Sequence, residues 1–198
     1  MMLTEQAEVA AAALPVEAFR EHLQLGRGFA DDGVQDPVLI TCLRAAIAAV
    51  EAETGKALLG RAFKYSVSSW RDYARQALPL APVTTVTALR VVDILGAETV
   101  IGADLYRLVP DYFRPSVVAK GWSLPVIPEG GTAEIEFEAG FGSTWDKVPA
   151  DIGQAVFMLA AHFYDNRSAL TDRGKVLPNG VAALLKRHQP VRLLGGGV

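Results

Sequence analysis

Between residues 132 and 163 the spacing of apolar residues changes from two to between three and four, and this change constrains the fold more than any other feature. The stretch "TAEIEFEAG" alternates strictly. Ile135 and Phe137 fall on one side and Glu134, Glu136 and Glu138 on the other, as in a strand with one dry and one wet face. After "FGSTWDKV", Pro149 opens "PADIGQAVFMLAAHFYDNR", where Ile152, Val156, Leu159 and Phe163, backed by Ala155 and Met158, form a helical stripe. A chain that runs from a half-wet strand into an amphipathic helix has two differently shaped apolar surfaces to bury, which calls for both a sheet and a helical layer. Between them Gly140 and Gly142 permit a tight turn, with Ser143 or Asp146 placed to take amides ahead of the helix.

The opposite change of period occurs near residue 60. Upstream, Pro15 suits the first turn of a helix through "VEAFREHLQL". "QDPVLITCLRAAIAAVEAETGK" then reads as a helix with Asp36 as N-cap, Pro37 first inside and Gly55 as its stop. Ile40, Leu43, Ile47 and Val50 form its apolar face, with Arg44 and Glu51 off it. Downstream, "RAFKYSVSSW", "VTTVTALRVVDI", "LYRLV" and "SVVA" are short β-type runs punctuated by glycines and prolines. A last helix, "VAALLKRH", ends in basic residues that suit its C-terminal dipole. The expectation is an α+β fold, a mainly α-helical body with an inserted small antiparallel β-sheet domain. Residues 1–60 hold the N-terminal helices, 61–140 the β insertion, 141–190 the C-terminal helices that complete the body, and 191–198 a flexible tail.

Composition narrows the chemistry. The chain has 198 residues, 51% of them hydrophobic and 21% charged, enough to bury about 70% of its unfolded surface in one domain or one domain with an insertion. A net charge of -3 argues against a surface that grips nucleic-acid phosphates throughout, since Lys and Arg supply most of that affinity. Glu5 and Glu8 stand where a secretory signal would be basic, and no run approaches the ~18 apolar residues of a membrane span. The expectation is a soluble chain made in the cytoplasm, with no membrane contact. The single cysteine, Cys42, excludes an internal disulfide and a multi-cysteine zinc site, and reads as a small buried hydrophobe.

Gly140 and Gly142 follow a strand and precede a helix, the general layout of a phosphate-binding turn, but no Gly-Lys pair follows and Trp145 stands where a dinucleotide fingerprint needs its third glycine. His22, His162 and His188 are far apart in sequence and match no metal motif. An EF-hand begun at Asp31 would put Cys42 where a glutamate must stand, so Asp31, Asp32 and Asp36 read as a turn and an N-cap. No G-x-S-x-G elbow is present. The residues therefore point to no enzymatic activity, no cofactor and no metal. Glu134, Glu136 and Glu138 stand for a solvated strand face or, alternatively, for one that binds a partner or lines a pore.

The order of several weak motifs is more specific than any one of them: "PLAP" 79–82, "VTTV" 83–86, "DILG" 93–96, Tyr106, "AGFG" 139–142, "VPADIGQA" 148–155 and "YDNR" 164–167. This series resembles the head-tail connector (adaptor) proteins of tailed bacteriophages, prophages and gene transfer agents, in the version that carries a β insertion, over roughly residues 37–190. The resemblance implies a structural part of a virion neck. About twelve copies would close a ring beneath the portal protein by heterologous contacts, extending the DNA channel and presenting a platform for a stopper or other neck or tail protein. DNA would pass without sequence-specific binding, and a neutral or acidic lining suits that passage. The resemblance makes Gly140, Gly142 and Pro149 a domain joint and allows the Glu134, Glu136 and Glu138 face to line the channel. It also leaves two readings for "VRLLGGGV": a disordered end, or a portal-contacting segment anchored by Val191, Leu193 and Leu194 with Arg192 pairing an acid. The alternative is another morphogenesis protein of the stopper or tail-completion kind. Such proteins are usually dominated by β-structure, and the two helical zones count against that reading.

Overall fold

The computed structural model describes residues 1–25, 35–166 and 177–190. It has two compact units, one of residues 1–9 and 56–147, the other of residues 10–55 and 148–198. The first unit carries eight strands: β1 (Met2–Glu5), β2 (Arg61–Val67), β3 (Arg75–Ala77), β4 (Val83–Val92), β5 (Glu98–Val100), β6 (Tyr106–Val109), β7 (Ser116–Ala119) and β8 (Thr132–Ala139). The second carries the helices α1 (Val16–His22), α2 (Asp36–Thr54), α3 (Ala150–Asp165) and α4 (Asn179–Leu185). The class is α+β, as expected. The antiparallel strands form two sheets where the sequence suggested one, a five-stranded sheet in the order β1-β2-β8-β4-β5 and a three-stranded sheet in the order β3-β7-β6.

The strictly alternating segment is the central strand of the larger sheet, where every second side chain meets apolar neighbours from both flanks. Ile135 and Phe137 of β8 are fully buried. Phe137 lies directly across from Phe63 of β2, their ring centroids 5.8 Å apart, a cross-strand aromatic pair of the kind worth roughly 0.5–1.5 kcal/mol beyond area burial. On the other flank β4 breaks alternation. Its register against β8 shifts between Val83 and Thr85 and again between Val86 and Ala88. Each bulge inserts one residue, so side chains three apart share a face. Val83, Val86, Leu89 and Val91 therefore all pack on the core, and the V-x-x-V spacing is the signature of that bulge. One apolar cluster is common to both sheets, with Tyr106, Val117 and Ala119 contributed by the smaller one.

The N-terminal residues depart from the sequence reading. Met2–Glu5 is a strand paired antiparallel with β2, and Arg61 closes that edge with an ion pair to Glu5 at 2.6 Å. An exposed four-residue edge strand has no apolar alternation to announce it, since all four of its residues are solvent-accessible.

In the helical unit α2 packs on α3, α3 on α4 and α1 on α2. The buried face of α2 is Leu39, Cys42, Leu43, Ala46, Ile47, Val50 and Thr54, with Leu39 fully buried where Ile40 was expected, and Ile40 only half-buried. Gln35 takes the N-cap position in place of Asp36, which sits in the first turn and forms an ion pair with Arg20 of α1. Gly55 ends the helix as anticipated, in the left-handed conformation at φ 64, its N–H donating to the carbonyl of Glu51 at 2.8 Å. In α3 the buried stripe is Ile152, Ala155, Val156, Leu159 and Ala160, with Phe163 half-buried. Phe19 of α1 is fully buried and stacks on Phe157, centroids 6.0 Å apart.

Candidate functional site

The chain leaves the β unit after Val9, re-enters it at Lys56 and leaves again after Lys147, and the last two of these three crossings are tied to the same structure. Residues 58–60 run beside 140–142: the N–H of Phe141 donates to the carbonyl of Leu58 at 3.2 Å, and that of Gly60 to the carbonyl of Gly142 at 2.7 Å. The N–H of Gly140 donates to the carbonyl of Pro82 at 2.9 Å. The amides of Gly140 and Phe141, which a phosphate cradle would have to offer, are thus spent on carbonyls. Gly140 has φ +140, and a Cβ there would stand 2.4 Å from the nitrogen of Gly60. Backbone on one side and a left-handed conformation on the other leave room for glycine alone.

Gly142 is under less constraint. A Cβ there would meet no backbone but would stand 2.6 Å from Cγ and 2.8 Å from Cβ of Lys147, so the turn that carries Lys147 would have to shift. Trp145–Lys147 then forms a 3-10 turn. Asp146 bonds Thr144 and pairs with Lys147 at 2.9 Å, both of which hold its carboxyl below the usual range. Pro149 is the residue before the first turn of α3, at φ -53 and ψ 136, and its carbonyl accepts the first helical bond from Gly153 at 2.9 Å.

Lys56 makes the entry crossing unusual. Its side chain is 1% exposed, and its Nζ donates to the carbonyl of Tyr112 while lying 4.0 Å from the centre of the Tyr112 ring and 4.4 Å from that of Phe113. Burial pushes its ammonium down to about 8, against a partial pull upward from Asp111. Asp111 itself accepts the amides of Phe113 and Arg114, both at 2.7 Å, and those bonds hold its carboxyl low. Tyr112 also lies 6.4 Å, centre to centre, from Phe141. One four-residue turn therefore grips the entering strand through Lys56 and touches the leaving strand through Phe141. No sequence motif marks this arrangement. Its one available signal was a lysine placed directly after a helix-ending glycine and before the apolar "ALL".

On the outer face of the large sheet, Glu134 and Glu136 are paired diagonally across the strands, Glu134 with Lys64 at 2.6 Å and Glu136 with Arg90 at 2.5 Å. The hydrogen bond from Arg90, more than any other influence, holds the Glu136 carboxyl below the usual range. Glu138 is exposed. The three carboxylates share one face as expected, and two of them carry cationic partners from the flanking strands β2 and β4.

The helical unit has a polar pair that sequence reasoning missed. His188, 3% exposed, places Nε2 2.6 Å from Oδ2 of Asp151, which also pairs with Arg187 at 2.6 Å. Burial raises the Asp151 carboxyl, but these partners outweigh it and hold the carboxyl below the usual range. Asp151 Oδ1 is buried without a hydrogen-bond partner among the described residues. The two residues are 37 positions apart, so no local spacing could announce the pair. No group of three or more His, Cys, Asp or Glu able to hold a metal occurs among the described residues, and no helix there is long and apolar enough to cross a membrane. Val191, Arg192, Leu193 and Leu194 lie outside the described residues, as do Asp31 and Asp32.

No protein-family model matches the chain, and no curated protein matches it. Solved structures do. The chain is similar to one in the neck of an empty gene transfer agent (GTA) particle computed with C6 symmetry, at 52% identity and TM-score 0.90, covering 99% of each chain. It is similar to a chain of the virion of a native GTA particle at 52% identity and TM-score 0.86, again over 99% of each. A third match, from the neck of a native GTA particle computed with C12 symmetry, has 48% identity and TM-score 0.83 over 99% of each chain.

Proposed function

Because the chain belongs to the family of neck proteins of gene transfer agent particles, we propose that it is the head-tail connector, or adaptor, of such a particle. The observation that carries this reading is similarity over 99% of both chains at 52% identity, with the β unit and the helical unit both included. Twelve copies form a ring beneath the portal, extend the DNA channel and offer a platform to a stopper or other neck protein. A twelve-membered ring fits both symmetries of the related necks, since a twelve-fold axis contains a six-fold one, whereas six copies alone would not satisfy C12. The part is structural, and no bond is made or broken.

The fold suits that work. A connector has to transmit position from one ring to the next, and the bonds between 58–60 and 140–142 hold two of the β unit's three connections side by side. Gly140, Gly142 and Pro149 belong to the segment where the chain passes back to the helices. On the Glu134, Glu136 and Glu138 face Lys64 and Arg90 pair with two of the three carboxylates, which suits a channel lining that lets DNA slide, since it offers no unpaired row of cations to phosphates.

Particles assembled without this chain test the proposal. Heads that lack tails are expected, with no ring beneath the portal and tails accumulating separately. Normal, tailed particles would overturn it, and tailless heads that still carry a ring beneath the portal would favour the stopper reading.

A further inference from the structure

The outer face of the three-stranded sheet carries an unexplained concentration of arginine. The register sets Arg75 of β3 and Arg107 of β6 opposite the same residue, Val118 of β7, so the two exposed guanidinium groups share a face. Arg71 and Arg114 join Arg75 and Ser116 around an open hollow of about 560 Å³. None of these four arginines has an ion-pair partner among the described residues. The nearest carboxylates in sequence, Asp72 and Asp111, spend an oxygen on backbone amides of their own turns. The surrounding chain has a net charge of -3, so this face is polarised against the whole.

Its rim is aromatic. Tyr73 is 74% and Trp122 93% exposed, and the backbone bond from Leu124 to Tyr73, at 2.7 Å, sets the 120–124 turn beside the arginine loop. Arg, Trp and Tyr together are the composition of protein–protein hot spots. The same unit carries the complementary surface. At the β4–β5 hairpin Ile94 is 73% and Leu95 90% exposed, Glu98 lies on the adjoining strand with Oε2 3.8 Å from Nε of Arg90 and its side chain still 57% exposed, and the side chain of Ile94 rests against Gly130, next to exposed Glu129. That tip is apolar and acidic where the arginine face is aromatic and basic.

We propose that the arginine face of the three-stranded sheet receives the β4–β5 hairpin tip of a second copy of this chain. The inference rests on the ring reading above and names its contact. Two unlike surfaces on one subunit are what a closed heterologous ring requires. Planar guanidinium groups around a hollow suit bidentate capture of Glu98 and Glu129, and Trp122 and Tyr73 suit Ile94 and Leu95. A continuous cationic track, as duplex DNA would need, is not what the face presents.

Charge reversal tests this in assembled particles and with the purified full-length chain. Arg75→Glu with Arg114→Glu, and separately Glu98→Lys with Glu129→Lys, are expected to leave the circular-dichroism spectrum unchanged, because all four residues lie at the surface. Each pair should weaken self-association at least tenfold by native mass spectrometry and deplete the neck ring in particle images. The chain carrying all four changes should recover both, because every interface regains opposite charges. Rings that form at wild-type abundance with either substituted pair would overturn the inference and leave the ring reading standing. Wild-type particles with no ring of this chain would overturn both. Wild-type binding to a fluorescent DNA duplex that is lost in the arginine pair, with rings intact, would reassign the face to nucleic acid.

Discussion

Gly140 and Lys56 both resist substitution, for different reasons. At Gly140 the objection is steric, since any Cβ would enter the backbone of Leu59 and Gly60 at 2.4–2.5 Å. Gly140→Val should cost roughly 3–5 kcal/mol, while Gly142→Ala should cost less, about 1–2 kcal/mol, because it meets Cβ and Cγ of Lys147 in a short 3-10 turn that has to shift and no strand backbone. Urea unfolding of the two variants checks the contrast, and equal costs would refute the assigned geometry. The pair of glycines was legible in the sequence as a turn. Which of the two is irreplaceable was not, because that depends on residues 80 positions upstream. At Lys56 the objection is electrostatic. Its folded pKa, about 8, lies below the ordinary lysine value of 10.5, so the folded state favours the neutral amine. The stability this adds is fully present above 10.5 and is lost as pH falls through 8. Wild-type melting temperature measured against that of Lys56→Met should therefore rise between pH 8 and 10, and a flat difference would show that the ammonium is not desolvated.

Among the elements, those with a clean period were legible and those fixed by pairing were not. The helix that ends at Gly55 and the alternating strand β8 follow from propensity and periodicity, because each repeats its burial pattern over several turns or pleats. The strand β1 has no such pattern, since its only reason to be extended is the edge of β2. The bulges in β4 turned a period of two into a spacing of three, so the V-x-x-V motif was visible while its geometry was hidden. The last helical turn, Lys186–His188, is held by a contact of the same long-range kind, His188 on Asp151 in the first turn of α3. Replacing His188 by Ala leaves Oδ2 of the half-buried Asp151 with Arg187 as its remaining ion-pair partner and empties the buried imidazole site, which should cost about 1–3 kcal/mol. Hydrogen exchange should show the loss concentrated in α4 and the start of α3, and an unaffected α4 would show that the pair does not hold it.

For the whole molecule, the sequence made the α+β class and the order of motifs readable, and the related neck and virion chains match this one over 99% of their length. The "DILG" hairpin was visible in the sequence, but the arginine face was not, because it is assembled from segments that only the sheet registers bring together. The portal contact proposed for Val191, Arg192, Leu193 and Leu194 is a separate matter of function. Removing residues 191–198 should abolish attachment to purified portal rings while leaving the melting temperature within about 2 °C of wild type, a change below about 0.5 kcal/mol for a chain of this size. Undiminished attachment would remove the tail from the account. The central claim, that this chain is the ring-forming connector of a particle neck, is tested most directly by a symmetry-free cryo-electron-microscopy reconstruction of particles in which the chain carries a recognisable tag. Twelve tagged copies around the DNA axis, directly beneath the portal, are predicted; a tag found elsewhere in the particle, or a single copy in the neck, would contradict it.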